Sequence, residues 1–300
     1  MDLMDHTVDD FAAAVGTVDP VSVEGAATRG GAVPGVPVVR APAGIVRIDA
    51  AEMVLECGAG TPMDDVHAAL ADVGQTVSIP GGGTIGGALA SGVSDVTRLA
   101  HGPLRDVLLQ THFVAASGKV TKAGGPTVKN VSGFDLCRLL VGSQGTLGFF
   151  GDVIVRTRPL PRSSRWFTTD TDPFELLATL YRPVAILWDG GTTWLRLDGD
   201  PDDVDATAAA SGLQQVDGPP PLPGPYRWSV APSAVRELRS ETPGSFVAQV
   251  GVGVVHRSTP QPRNPPEAAI RQLHDRIKHQ FDPSGRMNPG LDTLPVGVGQ

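Results

Sequence analysis

The stretch SIPGGGTIGGALASG, residues 78–92, holds six glycines in fifteen positions. Lacking Cβ atoms, Gly81, Gly82, Gly83, Gly86 and Gly87 can turn backbone N–H groups toward a bulky anion and approach it within hydrogen-bond distance. The chemistry this implies is main-chain recognition of phosphate or ring oxygens. Two further clusters accompany it: EGAATRGG (24–31) after an early strand, and VGSQGTLGFF (141–150) after a helix-like stretch. Three separated glycine nests imply an extended ligand.

The spacing of Gly81, Gly83 and Gly86 also fits G-x-G-x-x-G. A dinucleotide-binding Rossmann unit needs those glycines directly after a strand, and an acid at the end of the next strand. Here Pro80 abuts the glycines, and Asp106, at the right distance, begins the following strand instead of ending it. Strand order therefore disfavours a nicotinamide-dependent Rossmann dehydrogenase. No G-x-x-x-x-G-K-[ST] exists, which excludes a nucleoside-triphosphate P-loop.

Side-chain chemistry is sparse by comparison. His101 sits in HGPLRD, bracketed by Arg98 and Arg105, and a guanidinium can hold a substrate carboxylate by two parallel hydrogen bonds. Surface salt bridging and an ordinary loop histidine are the competing readings. His256 follows an apolar strand and competes with a plain strand-end role. His101, Arg105 and His256 are the weak catalytic candidates, and no catalytic base is assigned. The pairs Asp64-Asp65 and Asp202-Asp203 open helices, where the macrodipole favours negative charge, so they read as helix starts and not as acid–base pairs. Cys57 and Cys137 lie far apart with no C-x-x-C, which encodes neither an iron–sulfur cluster nor a zinc site, and no metal site is expected.

These residues must be positioned by a globular scaffold. Three hundred residues suffice for two domains with full cores, and 41% hydrophobic against 19% charged residues excludes a disordered chain. A net charge of −8 without any Lys/Arg block argues against nucleic acid. No apolar run is long enough for a membrane span, the acidic start MDLMDHTVDD lacks signal-peptide features, and the two unpaired cysteines suit a reducing compartment; a cytoplasmic protein is expected. Strand-like runs lie at 21–25, 53–60, 75–80, 106–118 and 149–157. A helix follows the second, with Thr61 as N-cap, Pro62 first in the helix, Gly74 as stop, and Val66, Ala69, Leu70 and Val73 at helical spacing. Beyond RTRPLPRSS (156–164) the glycine clusters end, and DPFELLATLY reads as a helix, VAILWDGGTTWLRLDG as a hairpin turning at Asp189-Gly190-Gly191, and PSAVRELRSE as another helix. NPPEAAIRQLHDRIKHQF closes the chain as an amphipathic helix with Ile270, Leu273 and Ile277 on one face. The fold class is α+β.

Three ordered blocks, PGGGTIGGALASG, HGPLRDVLL and VKNVSGFDLCRLLVGSQGTLG, resemble the flavin domain of the vanillyl-alcohol-oxidase/PCMH superfamily, and within it the FAD-binding subunits of bacterial glycolate oxidases and their D-2-hydroxyacid dehydrogenase relatives. The resemblance covers roughly residues 21–160, with FDPSGRMNPG (281–290) also typical. It implies a PCMH-type FAD-binding domain over 1–160, a reduced cap or substrate domain over 161–262, and a C-terminal helix and tail, 263–300, packing back on the flavin domain.

The resemblance further implies that Gly25, Ala26, Ala27 and Thr28, with Pro80, Gly81, Gly82, Gly83, Thr84, Ile85, Gly86 and Gly87, wrap the pyrophosphate and ribityl parts of FAD. Ser91 and Gly92 would continue that wall, Gly145 and Thr146 would present backbone to the flavin side, and Lys129 and Asn130 match a K-N pair of the family. Asp135 reads as a cap for the next turn. Relatives that hold FAD covalently carry a histidine in the first glycine loop; GAATRGG has none, which implies non-covalent FAD. Relatives with their own metal-assisted site carry H-x-G-D-G-N-x-H, whereas VGVGVVHRS (250–258) keeps only His256. Ala26 and Ala27 also break the usual run of glycines.

The implied activity is that of an FAD-dependent oxidoreductase, or the FAD-binding subunit of one, which oxidises a small 2-hydroxyacid such as glycolate or D-lactate by hydride transfer to flavin. Electrons would leave through an iron–sulfur subunit, a second flavin subunit or a soluble acceptor. The alternative is a non-catalytic FAD-binding or assembly subunit of a flavin/iron–sulfur complex, favoured by the short cap and the missing motif.

Overall fold

A computed structural model describes residues 7–126, 135–262 and 266–293. The chain divides into two compact units. Within the described residues the first comprises 7–95, 103–160 and 266–293, and the second 96–102 and 161–262.

The first unit is built on a five-stranded antiparallel sheet in the order Ile45–Asp49, Val54–Gly58, Phe149–Arg156, Leu108–Val114, Val120–Gly124. Its central strands are apolar on both faces, as strands covered on both sides must be. Leu55 pairs with Val155 and Cys57 with Val153, and all four are buried with Met63, Val66 and Leu70 of helix Met63–Asp72 and with Ile85 and Leu89 of helix Ile85–Ser91. Phe11 and Val15 of helix Val8–Val15 cover a second cluster with Val114, Phe149 and Met287. Each large apolar side chain removed from water there contributes roughly 1.5–3 kcal/mol.

Helix Met63–Asp72 departs from expectation at its start. Thr61 is not its cap; Pro62 takes that place with no side-chain hydrogen bond. The Thr61 hydroxyl is committed elsewhere, donating to Gly58 O at 2.6 Å and accepting from Gly44 N at 3.0 Å, which ties the loop to the sheet. The buried stripe is Met63, Val66 and Leu70, while Val73 is exposed at the helix end.

The second unit is a seven-stranded antiparallel sheet, in the order Gln214–Val216, Ser163–Thr169, Thr193–Gly199, Ala185–Trp188, Phe246–Gln249, Val254–Arg257, Tyr226–Ser229. The hairpin through Asp189–Gly191 forms as expected, with the Asp189 carboxylate accepting from Gly191 N and Thr192 N. Helix Pro173–Thr179 buries Phe174 against Trp188, which also meets Phe246, both edge-to-face at 6.1 and 5.4 Å. Residues 232–240 form a 3-10 helix and not an α-helix. Its apolar residues Val235 and Leu238 lie three apart, which matches that tighter repeat.

The last helix runs Ala268–Phe281, starting later than the sequence suggests. Only Ile277 and Phe281 of its apolar face pack on the first unit's core; Ile270 and Leu273 are 49% and 54% exposed. No helix among the described residues is long and apolar enough to cross a membrane.

Both cysteines are free and buried, and burial pushes the Cys57 thiol up to about 12 and the Cys137 thiol to about 11. The thiolate is the reactive form. Native protein at pH 8 should therefore be inert to a disulfide-exchange chromogen, and two thiols should react on denaturation. Stoichiometric labelling of the folded chain would contradict this burial.

Candidate nucleotide-binding site

The three glycine loops lie in the first unit, and two of them interlock. Thr84 caps helix Ile85–Ser91, accepting from Gly87 N, and its hydroxyl stands 2.5 Å from where a Cβ on Gly25 would be. Reciprocally, a Cβ on Gly83 would meet the Thr28 hydroxyl at 2.3 Å. Only glycine fits either contact. Gly82 and Gly83 have φ of +73° and +69°, the left-handed region in which larger residues are strained. Ala27 adopts φ +55°, so the alanine that interrupts the first loop does so in a conformation glycine would favour.

Arg29 joins the two loops. Its guanidinium donates to the carbonyl oxygens of Pro80 at 2.9 Å, Gly81 at 2.7 Å and Gly82 at 2.7 Å. The N–H groups of Gly81, Gly82 and Gly83 have no acceptor among the described residues. They are the donors in this loop that a ligand can use. Thr84 N has no acceptor either, but the three donors after it are already spent: Ile85 N bonds Thr61 O, Gly86 N bonds Ala59 O, and Gly87 N bonds Thr84 Oγ1. Gly86 therefore serves close packing, since a Cβ there would stand 2.7 Å from Ala59 O.

Ser91 and Gly92 lead to the third loop. Gly92, at φ +66°, would place a Cβ 2.8 Å from Gly142 Cα, and Gly142 N and Gln144 N bond Leu89 O and Ala90 O. Thr146 has its hydroxyl and N–H engaged within the loop, and Gly145 lies close to Asn288. A Cβ on Gly145 would strike Asn288 Nδ2 at 2.7 Å, the Thr146 hydroxyl and N–H both bond Ser143 O, and Thr146 O accepts from Lys278 Nζ at 2.7 Å. Their backbone is turned toward the C-terminal segment. The loop does hold one orphan: the Ser143 hydroxyl is buried without a partner. Such a group costs about 1–3 kcal/mol unless something satisfies it.

The C-terminal segment acts as a staple. Asn288 Oδ1 accepts from Ser22 Oγ at 2.8 Å and Val23 N at 3.1 Å, while its Nδ2 donates to Gln144 O at 2.7 Å, which links the strand before the first loop to the third loop. Arg286 donates to the backbone oxygens of Val15, Asp19 and Ala116. Burial alone would raise the Asp282 carboxyl, but its bonds from Lys278, Met287 N and Arg286 N hold it below the usual range. Arg29 does not stand out in the sequence, because its partners here are main-chain oxygens.

Lys129 and Asn130 lie outside the described residues. Asp135 does cap the helix Leu136–Leu140, accepting from Arg138 N, and Arg138 also pairs with Asp106 at 2.7 Å. Among the catalytic candidates, His101 ends the short helix Arg98–His101 in the second unit, and Arg105 is exposed on a 3-10 turn of the first. His256 is buried in the second unit's sheet, with Nε2 3.1 Å from Gln249 Nε2. Burial, then the charge of Arg227, lowers its pKa to about 4, so the imidazole is neutral near pH 7. Gln249 Oε1 is buried without a partner. Among the described residues, no three His, Cys, Asp or Glu side chains form a metal cluster.

With this geometry established, residues 20–124 match the family model described as FAD binding domain. The chain carries an FAD-binding domain of the PCMH type. This domain fits its cofactor on structural grounds, through free N–H groups at Gly81–Gly83, glycine-only contacts between loops, and a buried, unsatisfied Ser143 hydroxyl. The chain is 29% identical over 299 residues to glycolate oxidase subunit GlcE of Escherichia coli (strain K12), covering 84% of this chain and 85% of that one. It is 34% identical over 151 residues to D-lactate dehydrogenase of Archaeoglobus fulgidus, but spans only 34% of that protein's length. A solved structure of alkyldihydroxyacetonephosphate synthase superposes with a TM-score of 0.68 at 12% identity, covering 95% of this chain and 75% of that chain, which shows a shared fold.

Proposed function

We propose that this chain is an FAD-dependent oxidoreductase, or the FAD-binding subunit of one, that acts on a small 2-hydroxyacid such as glycolate or D-lactate. The observation that carries the reading is the set of unspent donors at Gly81–Gly83 inside an FAD-binding domain. The names of the similar proteins, a glycolate oxidase subunit and a D-lactate dehydrogenase, supply the substrate class. FAD, held non-covalently, supplies the hydride-accepting chemistry when bound. The chain's own residues bind and orient it: the first two loops and the Ser91–Gly92 wall hold the nucleotide portion, and the Asn288 and Lys278 contacts keep the third loop rigid beside them. The second unit serves as the reduced cap. His101, Arg105 and His256 are the side chains offered for substrate contact, and no catalytic base is assigned; His256, its pKa lowered to about 4, is a poor proton acceptor at pH 7. The compartment we propose is the cytoplasm, and the partners an iron–sulfur subunit and a second flavin subunit that take the electrons onward.

A non-catalytic assembly role is the second reading. It is favoured by the stretch 250–258, where the turn between strands Phe246–Gln249 and Val254–Arg257 carries valines, and a buried Gln249–His256 pair stands beside it.

The test is the visible spectrum of the purified chain, acid release of its chromophore, and anaerobic titration with glycolate and D-lactate. Released FAD and bleaching by a hydroxyacid are expected. A yellow protein bleached by neither acid, alone or with its partner subunits, would support the assembly role. A colourless chain that takes up no added FAD would overturn the oxidoreductase reading and leave the assembly role.

A further inference from the structure

We infer that Arg29 is a positioning residue that orients the nucleotide-binding loop from behind, without touching the ligand; the inference rests on the FAD reading above. A guanidinium presents five N–H donors in one rigid plane, and here they grip three consecutive carbonyl oxygens, those of Pro80, Gly81 and Gly82. All the peptide bonds concerned are trans. In a planar trans peptide the C=O of one residue and the N–H of the next point in opposite directions. Fixing the oxygens of residues 80–82 on one side therefore turns the N–H groups of residues 81–83 to the other. Those three N–H groups have no acceptor among the described residues; Thr84 N has none either, but the Gly83 oxygen across its peptide is held by Met63 N and not by Arg29.

Two consequences follow from that opposition. Because the oxygens converge on one guanidinium, the opposed N–H groups fan out, which suits an extended diphosphate better than a compact ion. The cation behind the oxygens also keeps each peptide dipole aligned with its positive end toward the anion. The side chain is itself held in place, since Thr28 beside it is seated against Gly83 and Thr84 against Gly25. Lysine offers a single ammonium in place of the fork and can hold only part of this arrangement.

The experiment compares the wild type with Arg29→Met and Arg29→Lys, all stripped of flavin, titrating each with FAD and with riboflavin, which lacks phosphate. Backbone order parameters at Gly81–Gly83 are measured by NMR relaxation in the same ligand-free samples. Arg29→Met should lose about tenfold or more in FAD affinity while its riboflavin affinity moves by no more than about twofold, and its loop order parameters should fall. Arg29→Lys should recover only part of both. An Arg29→Met variant that binds FAD like the wild type overturns the inference. So does an Arg29→Lys variant with full affinity, because that result means a simple point charge. If the wild type takes up no FAD, the functional reading fails instead, and unchanged loop order parameters in Arg29→Met would then overturn the orienting role independently.

Discussion

Gly86→Val should unfold the first unit's nucleotide loop or cost the protein at least about 3 kcal/mol, a fall in Tm of roughly 6–12 °C for a unit of this size. The first atom of the new side chain would already stand 2.7 Å from Ala59 O and 2.9 Å from Ala59 Cβ. Gly86 and Ala59 are also joined by a backbone hydrogen bond of 2.8 Å, so neither can retreat without breaking it. Gly81→Ala is the matched control: the nearest atom to its Cβ is His67 Cε1 at 4.0 Å, and its φ is not in the left-handed region. That variant should keep its Tm, so any loss of FAD affinity in it reports on the ligand face and not on folding. Thermal denaturation of both, with FAD affinity measured below the transition, separates the two roles that glycine plays within six residues. A Gly86→Val protein that melts with the wild type would show that the helix does not sit against Ala59 as described.

That division of labour explains how much of the site could be read in advance. The sequence marks a glycine loop, and the ordered blocks around it mark a flavin domain, because both signals are local: a missing Cβ is visible in the letter code. What each glycine is for depends on what lies opposite it, and the opposing atoms come from distant segments, Ala59 for Gly86, Thr84 for Gly25, Asn288 for Gly145. For the same reason nothing local shows that Lys278, more than a hundred residues later, bonds the Thr146 carbonyl, or that Asn288 bonds the Gln144 carbonyl. Arg29 is hidden by the opposite effect. An arginine among polar loop residues looks like any solvated charge until three carbonyls are found around it. In the scaffold, pattern locates the three central strands of the first sheet and one hairpin of the second, but not the remaining strands, and caps fail where a hydroxyl has a stronger claim on it elsewhere, as Thr61 has at Gly58 and Gly44.

The second large effect concerns His256 and acid. Its pKa lies near 4 in the folded chain and near its ordinary 6.5 when unfolded, first because burial penalises the imidazolium and then because Arg227 adds a like charge. Between those two values the unfolded chain binds a proton that the native chain refuses, so stability rises with pH across that window. The contribution is fully present above pH 6.5 and is lost as the pH falls toward 4, amounting to about 3 kcal/mol at most. The packing makes this hard to relieve: His256 is 7% exposed, stands opposite Arg227 and Val247 in the sheet, and its Nε2 faces the amide of the equally buried Gln249. The carboxylates of Asp172, Glu241 and Asp282, held below their usual range in the native state, lose their contribution from about pH 5 downward, so the histidine's slope stands apart between about pH 5 and 6.5. Urea denaturation of the wild type and of His256→Gln at half-unit steps from pH 4 to 8 should show a wild-type slope between pH 4 and 6.5 that the variant lacks. Parallel curves for the two proteins would mean that His256 charges in the native state as readily as in water, and the neutral imidazole assigned to the second unit would have to be abandoned.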